Sequence, residues 1–157
     1  IFIGPGDLFT SIIPNLIVPG VKEALCKTRA RLYFTINIMT KYGETQHFSG
    51  VDFVTRLEKQ IGRKIDGVIV NKTRPDKRIL KTYTEQKSDL VSINPGSSFW
   101  KKRTVFLADL LDTEAGIVRH DAGKLANVIK NILASNDGGS HASLSNRAIE
   151  VISASNQ

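Results

Sequence analysis

The chain has 157 residues and carries 22 Lys plus Arg against 15 Asp plus Glu, a net charge of +7 at neutral pH. Its 41% apolar content excludes a fully disordered chain. Its one cysteine, Cys26, excludes an internal disulfide framework and any zinc site built on several thiolates, and no run approaches the ~18–20 apolar residues of a spanning helix. The length fits one domain, and the cysteine usage fits a reducing compartment. The excess positive charge is left to meet nucleic acid, an anionic ligand or water.

Taken in chain order, Ile1-Phe2-Ile3 reads as a buried strand that ends at Gly4-Pro5-Gly6. There is no initiator Met, and a domain rarely begins inside its own core. A fragment or a processed chain is therefore the expectation. Residues 8–28 read as helical in parts, interrupted at Pro14 and at Pro19-Gly20. Leu32 to Met39 is β-rich and apolar, as a strand covered on both faces would be. Ser49 to Ile61 reads as a helix: Ser49-Gly50-Val51-Asp52 fits the S-x-x-D start signal, and Phe53, Val54, Leu57 and Ile61 form its stripe. Gly67 to Asn71 is the next strand. Pro75 and Asp76 start a helix that runs to about Gln86, and Asp89 to Ile93 reads as a short strand before a turn at Asn94-Pro95-Gly96. Thr104 to Ala108 is a further strand. Asp121 opens the last helix, where Leu125, Val128, Ile129, Ile132 and Leu133 recur with helical spacing.

Strands alternating with helices predict an α/β fold with a mainly parallel sheet, which binds ligands beyond the carboxyl ends of its strands. The loops that matter are then 4–11, 37–49, 71–75, 94–103 and 109–120. The domain is expected to span 1–134. Residues 135–145 are rich in Ser, Asn and Gly, so 135–157 is expected as a flexible polar tail, with one or two helical turns between Arg147 and Ile152.

Four groups of residues carry candidate chemistry. In Gly4-Pro5-Gly6-Asp7-Leu8-Phe9-Thr10-Ser11, glycines let backbone N–H groups turn toward an anion, and Thr10 and Ser11 can donate further hydrogen bonds. The loop lacks the third glycine of the dinucleotide fingerprint and the Gly-Lys of a P-loop. A tight strand-to-helix turn explains it equally well. The stretch Asn37 to Ser49 leaves a strand end with Asn37, Thr40, Glu44, Thr45, His47 and Ser49. Glu44 and His47 suit an acid and a base, although solvated loop residues are the plainer account. In Arg119-His120-Asp121, the aspartate fits a helix N-cap, His120 fits packing, and the planar fork of Arg119 suits phosphate or a pyrimidine edge. Asp109 and Asp112 are candidates for Mg²⁺ held through water, set against ordinary solvation. The last group is basic. Lys72, Arg74, Lys77, Arg78 and Lys81 face one acid, Asp76, and Lys101-Lys102-Arg103 adds a second cluster. Such patches hold RNA phosphates, funnel a small phosphorylated ligand, or simply face water.

In order, IFIGPGDLFTSIIPNLIVPGVKEAL, NIMTKYGET, a basic helix with KTYTEQ, DLLD and VRHDAGKLA resemble the gluconeogenesis-factor family, over about residues 1–134. That family is related to the 2-phospho-L-lactate transferases. The resemblance implies a Rossmann-like three-layer sandwich whose amino-terminal part this chain lacks. It implies a cytoplasmic, non-catalytic regulatory protein that binds a UDP-sugar such as UDP-N-acetylglucosamine and influences carbon metabolism, cell shape and cell-wall synthesis. The alternative it implies is a phospholactyl-type transferase of deazaflavin coenzyme synthesis, working with Mg²⁺; an RNA-binding module ranks third. The family's anion loop falls on Gly4, Gly6, Thr10 and Ser11, its strand-end polar residue on Asn37, and its nucleotide-sugar residues on Tyr83 and Arg119. Lys41-Tyr42 departs from the family's second loop, and Ala122 stands where some members carry a threonine after RHD. The expected partners are the nucleotide-sugar ligand and either a second copy or the missing amino-terminal half, with no membrane span and no nucleic acid.

Overall fold

Each β-rich segment is too short and too apolar to stand alone, and they pair side by side. The structure is a computed structural model and describes residues 1–94, 96–137 and 149–151. Strands β1 (Phe2–Ile3), β2 (Tyr33–Thr35), β3 (Gly67–Asn71) and β4 (Thr104–Ala108) are joined in that order, all parallel. A separate ribbon, β5 (Leu111–Asp112) against β6 (Arg119–His120), follows β4 and is antiparallel. A last strand, β7 (Ile149–Val151), pairs parallel with β4 at the far edge of the main sheet.

Helices cover both faces. Phe34, Val68 and Val105 lie side by side in register and face a core built with Leu8, Ile12, Leu16, Phe53, Leu57 and Trp100. Those side chains come from a π-helical turn (Leu8–Ile12) that runs into α1 (Ile13–Leu16), from α3 (Gly50–Ile61), and from a 3₁₀ turn (Ser98–Lys102), with α2 (Val21–Lys27) packed outside α3. Residues one step along the strands, Tyr33, Ile69 and Phe106, face the opposite way and meet Leu125, Val128 and Ile132 of α5 (Ala122–Asp137). The result is the expected three-layer α/β sandwich. Its close packing shows at Gly67, where an added Cβ would sit 2.8 Å from the Tyr33 ring.

Local signals explain most boundaries. Ser49 accepts from the Asp52 N–H while the Asp52 carboxylate accepts from the Ser49 N–H, a complete capping box at the start of α3. Gly62, at φ +86°, ends that helix. Asp76 caps α4 (Lys77–Glu85) through the Arg78 N–H at 2.7 Å, and Asp121 accepts from Lys124 N at 2.9 Å at the start of α5. Pro14 does not break its helix, because it sits in the first turn of α1, where a missing N–H costs nothing.

Five expectations need correction. Leu32 to Met39 forms a strand only over Tyr33–Thr35. Asp89 to Ile93 makes no strand, only a single antiparallel bridge from Leu90 to Met39. Ile1 is 47% exposed and β1 is half-buried, so among the described residues this segment is an edge strand and not a buried one. Leu133 is 50% exposed, which narrows the stripe of α5. Finally, α5 runs past residue 134 to Asp137, and Ile149–Val151 is a strand where helical turns were expected. The remainder of 135–157 lies outside the described residues, as does Pro95 of the expected turn.

Candidate functional site

The loops that leave β1, β2, β3 and β4 converge at the carboxyl end of the sheet. The first loop is fixed to the second by the Asn37 side chain, whose Nδ2 donates to the Gly6 carbonyl at 3.1 Å. Lys41 Nζ donates to Asp7 Oδ2 at 2.8 Å and pairs with Glu44 at 2.8 Å, which closes the same junction. Those two carboxylates, Asp7 foremost, hold the Lys41 ammonium well above its usual lysine pKa. Its charge is thereby neutralised locally. Thr40 is tied to the segment after α4 twice, its N–H donating to the Asp89 carbonyl at 2.7 Å and its hydroxyl accepting from the Asp89 N–H at 2.7 Å.

The β5–β6 ribbon folds back over this end. It is held at its root by Lys124, which donates to Asp109 Oδ2 at 2.9 Å and to the Leu111 carbonyl at 2.8 Å. Burial raises the Asp109 pKa, but hydrogen bonds from Lys124, Thr73 and the Leu111 N–H outweigh it and leave the carboxyl below its usual range. Tyr83 on α4 ties the ribbon's entry down, its hydroxyl accepting from the Val118 N–H at 2.9 Å. The ribbon then presents Arg119 and His120. Burial pushes the His120 imidazole below the usual histidine pKa, and a hydrogen bond with the Ile36 carbonyl opposes that only in part. Burial thus favours the neutral ring.

Between these elements lies an open cleft of about 290 Å³, lined by Asp7, Asn37, Lys41, Tyr83, Arg119 and His120 among others. Of the seven site residues expected from the sequence, Asn37, Tyr83 and Arg119 meet in this cleft. Gly6 stands behind its wall through the bond to Asn37, and Gly4 turns the chain at φ +81°. Thr10 and Ser11 do not line it. Thr10 Oγ1 points at Asp7 Oδ2 at 3.4 Å, and the Ser11 N–H donates to the Asp7 carbonyl at 2.9 Å, so both groups close their own helical turn. Glu44 and His47 are separated in role as well: Glu44 pairs with Lys41, while His47 stands exposed 3.8 Å from Asp89.

The sequence reading missed Asp7, Lys41 and His120 as lining residues. For His120 the signal was available, since it follows Arg119 on a strand end. The expected second basic cluster also changes. Arg103 is only 7% exposed and is bound to Glu58, so it is a structural residue and no part of a surface patch. Asp109 faces Lys124, and Asp112 accepts from the Glu114 N–H. Among the described residues, no group of three His, Cys, Asp or Glu side chains converges to hold a metal.

Polar groups gathered past the strand ends of a parallel sheet mark where such folds take ligands. The model of the 2-phospho-L-lactate transferase CofD family matches residues 1–111, and so runs through the first three of these loops and into the ribbon. The chain belongs to the CofD family. It is 40% identical over 134 residues to a protein of Aquifex aeolicus named "Putative gluconeogenesis factor", covering 85% of this chain and 41% of that one. A Thermotoga maritima protein of the same name is 38% identical over 138 residues, covering 84% and 43%. A crystal structure of a UPF0052-family protein from Bacillus halodurans superposes with a TM-score of 0.76 at 28% identity, over 82% of this chain and 42% of that one. The chain thus spans less than half the length of these CofD-family relatives and corresponds to their carboxyl-terminal part. No single helix among the described residues is long and apolar enough to cross a membrane.

Proposed function

We propose that the chain is part of a cytoplasmic CofD-family regulatory protein that binds a nucleotide sugar in the strand-end cleft, with UDP-N-acetylglucosamine as the reference ligand. The observation that carries this reading is the meeting of Asn37, Tyr83 and Arg119, which come from the segment after β2, from α4 and from β6, in one cleft. Arg119 is exposed and pairs with no carboxylate among the described residues, so its fork is available to a diphosphate. Tyr83 is fixed through its hydroxyl, which leaves its ring as a surface for a base. The loop that begins at Gly4 reaches the cleft wall through the Asn37 bond to Gly6, and the expected phosphate role of Thr10 and Ser11 is not part of this reading. The name borne by the relatives supports a role in carbon metabolism, and the resemblance adds cell shape and wall synthesis.

Calorimetric titration with UDP-N-acetylglucosamine tests the site. Losing one charged hydrogen-bond partner costs about 1.5–3 kcal/mol, so Arg119→Ala is expected to weaken binding roughly 10- to 100-fold. Tyr83→Ala is expected to weaken it roughly 5- to 150-fold, in line with the ~1–3 kcal/mol typical of base–aromatic stacking. Unchanged affinity in both variants removes the site.

A second reading is a phospholactyl-type transferase, favoured by the family model's own description. Product formed from a guanylylated phospholactate donor and a deazaflavin under Mg²⁺ would support it. The outer edge of β1 is unpaired among the described residues, and Ile1 beside it is exposed. Both features fit association with a second copy or with an amino-terminal half.

A further inference from the structure

Two polar atoms of the cleft lining are buried and bond to no described residue: Asn37 Oδ1 and His120 Nε2. Folding does not leave such atoms bare without cost, and a cleft is where a ligand can repay them. Their chemistry is set by what their other halves do. Asn37 Nδ2 donates to the Gly6 carbonyl, which turns the amide oxygen away from that contact. Nε2 is the ring nitrogen left without a partner, so we assign the single proton of the neutral ring to Nδ1, the nitrogen free to meet the Ile36 carbonyl, which leaves Nε2 a lone pair. Burial disfavours the charged ring. Both atoms are therefore acceptors, and they are anchored to consecutive backbone positions, 36 and 37.

A phosphate group at neutral pH offers mainly oxygens, which are acceptors as well. Two lone pairs facing a phosphate would repel it. They need N–H or O–H groups. Resting on the proposed binding of a nucleotide sugar, we infer that Asn37 Oδ1 and His120 Nε2 form an acceptor pair that takes the donor-bearing, uncharged end of the ligand, a base imide or sugar hydroxyls, while Arg119 takes the diphosphate. The pair makes the cleft select a nucleoside- or sugar-bearing diphosphate over a bare one. A site built to pair with a donor discriminates strongly against ligands that lack it, because the buried acceptors are then left alone.

The test is calorimetry on the full chain with UDP-N-acetylglucosamine, UDP, N3-methyl-UDP and inorganic pyrophosphate. His120→Phe is expected to weaken UDP-N-acetylglucosamine about tenfold and to leave pyrophosphate within twofold. His120→Gln, whose amide oxygen reaches the place of Nε2, is expected to recover most of the loss. If His120→Phe weakens UDP equally and N3-methyl-UDP binds the parent chain as poorly, the donor is the base imide. If UDP is indifferent to His120→Phe, the donors are sugar hydroxyls. Either pattern supports the pair. Equal loss for pyrophosphate, or no loss for any ligand, overturns it and leaves the nucleotide-sugar reading standing. A parent chain that binds none of the nucleotides overturns that reading and the inference together. Independently of any variant, the ¹⁵N resonance of His120 Nε2 must shift when UDP-N-acetylglucosamine is added. A resonance that stays put while the ligand binds overturns the inference.

Discussion

Replacing Glu58 by Ala removes the counter-charge of the most deeply buried cation in the described structure. Arg103 Nε and Nη2 donate to Glu58 Oε1 at 3.0 and 2.8 Å, and Nη2 reaches Oε2 at 2.7 Å. Nη1 donates to the Phe99 carbonyl at 2.7 Å, and the guanidinium lies 4.0 Å over the Phe99 ring. Glu58 Oε1 also accepts from the Ile65 N–H at 2.9 Å, so one carboxylate joins α3, the turn into β3 and the entry to β4. The side chains of Arg103 and Glu58 are 4% and 14% exposed, which excludes the screening that makes surface pairs worth little. Breaking such a pair from one side costs about 3–5 kcal/mol, because the remaining charge stays buried. At roughly 2–4 °C per kcal/mol for a chain of this size, Glu58→Ala should lower Tm by roughly 6–20 °C in a circular-dichroism melt. The double variant Glu58→Leu with Arg103→Met should recover most of that loss, since it strands no charge. A fall of under about 2 °C for Glu58→Ala would refute the reasoning. Arg103 would then have to reach water, and would return to the surface basic cluster with Lys101 and Lys102.

The capping box of α3 supplies two further tests. Ser49→Ala should cost about 1 kcal/mol, read as a Tm loss of roughly 2–4 °C, with no effect on ligand affinity because Ser49 is not in the cleft lining. Hydrogen bonds from the Ser49 hydroxyl and N–H hold the Asp52 carboxyl below its ordinary 3.8, and Asp109 is held low as well. A depressed folded-state pKa contributes stability that is complete above the unfolded value and is lost as pH falls through the folded one. The melting temperature should therefore decline below about pH 4, and Asp52→Asn should flatten that acid limb. An acid limb of unchanged steepness would show that the box contributes nothing through charge.

What could be read in the sequence was the local part. The capping box, the Asp76 and Asp121 caps and the strand Thr104–Ala108 are set by residues within a few positions of one another, and they stand where the pattern put them. The misreadings share a different cause. Arg103 looks like the end of a basic run until its partner 45 residues away is known. Asp89 to Ile93 has strand composition, yet Leu90 finds only Met39, because the long run from Leu32 leaves the sheet after Thr35. Ile149–Val151 has a place only because β4 offers a free edge. The cleft shows the same division. The family resemblance points to Asn37, Tyr83 and Arg119 as one site, but nothing in their spacing shows that the β5–β6 ribbon folds back to bring Arg119 and His120 into the cleft with Asn37.

Where the positive charge is used bears on what the cleft can hold. Lys41 is occupied by Asp7 and Glu44, Arg63 by Asp66, Arg103 by Glu58 and Lys124 by Asp109. Each of these cations is neutralised where it stands. Lys72, Arg74, Lys77, Arg78 and Lys81 are exposed and make no ion pair with any described residue, and they belong to α4 and its approach. That helix also carries Tyr83 into the cleft. The net charge of +7 is thus not spread evenly, and part of its surplus lies on and just before the helix that carries Tyr83 into the cleft. A Debye length of about 8 Å at physiological salt lets such a face draw an anion toward the cleft without touching it once bound. RNA would need the same cations as direct phosphate contacts together with exposed rings for its bases. The rings near the second basic cluster are committed elsewhere, with Trp100 buried and Phe99 stacked under Arg103. The disposition of charge therefore favours a small anionic ligand over a polymer.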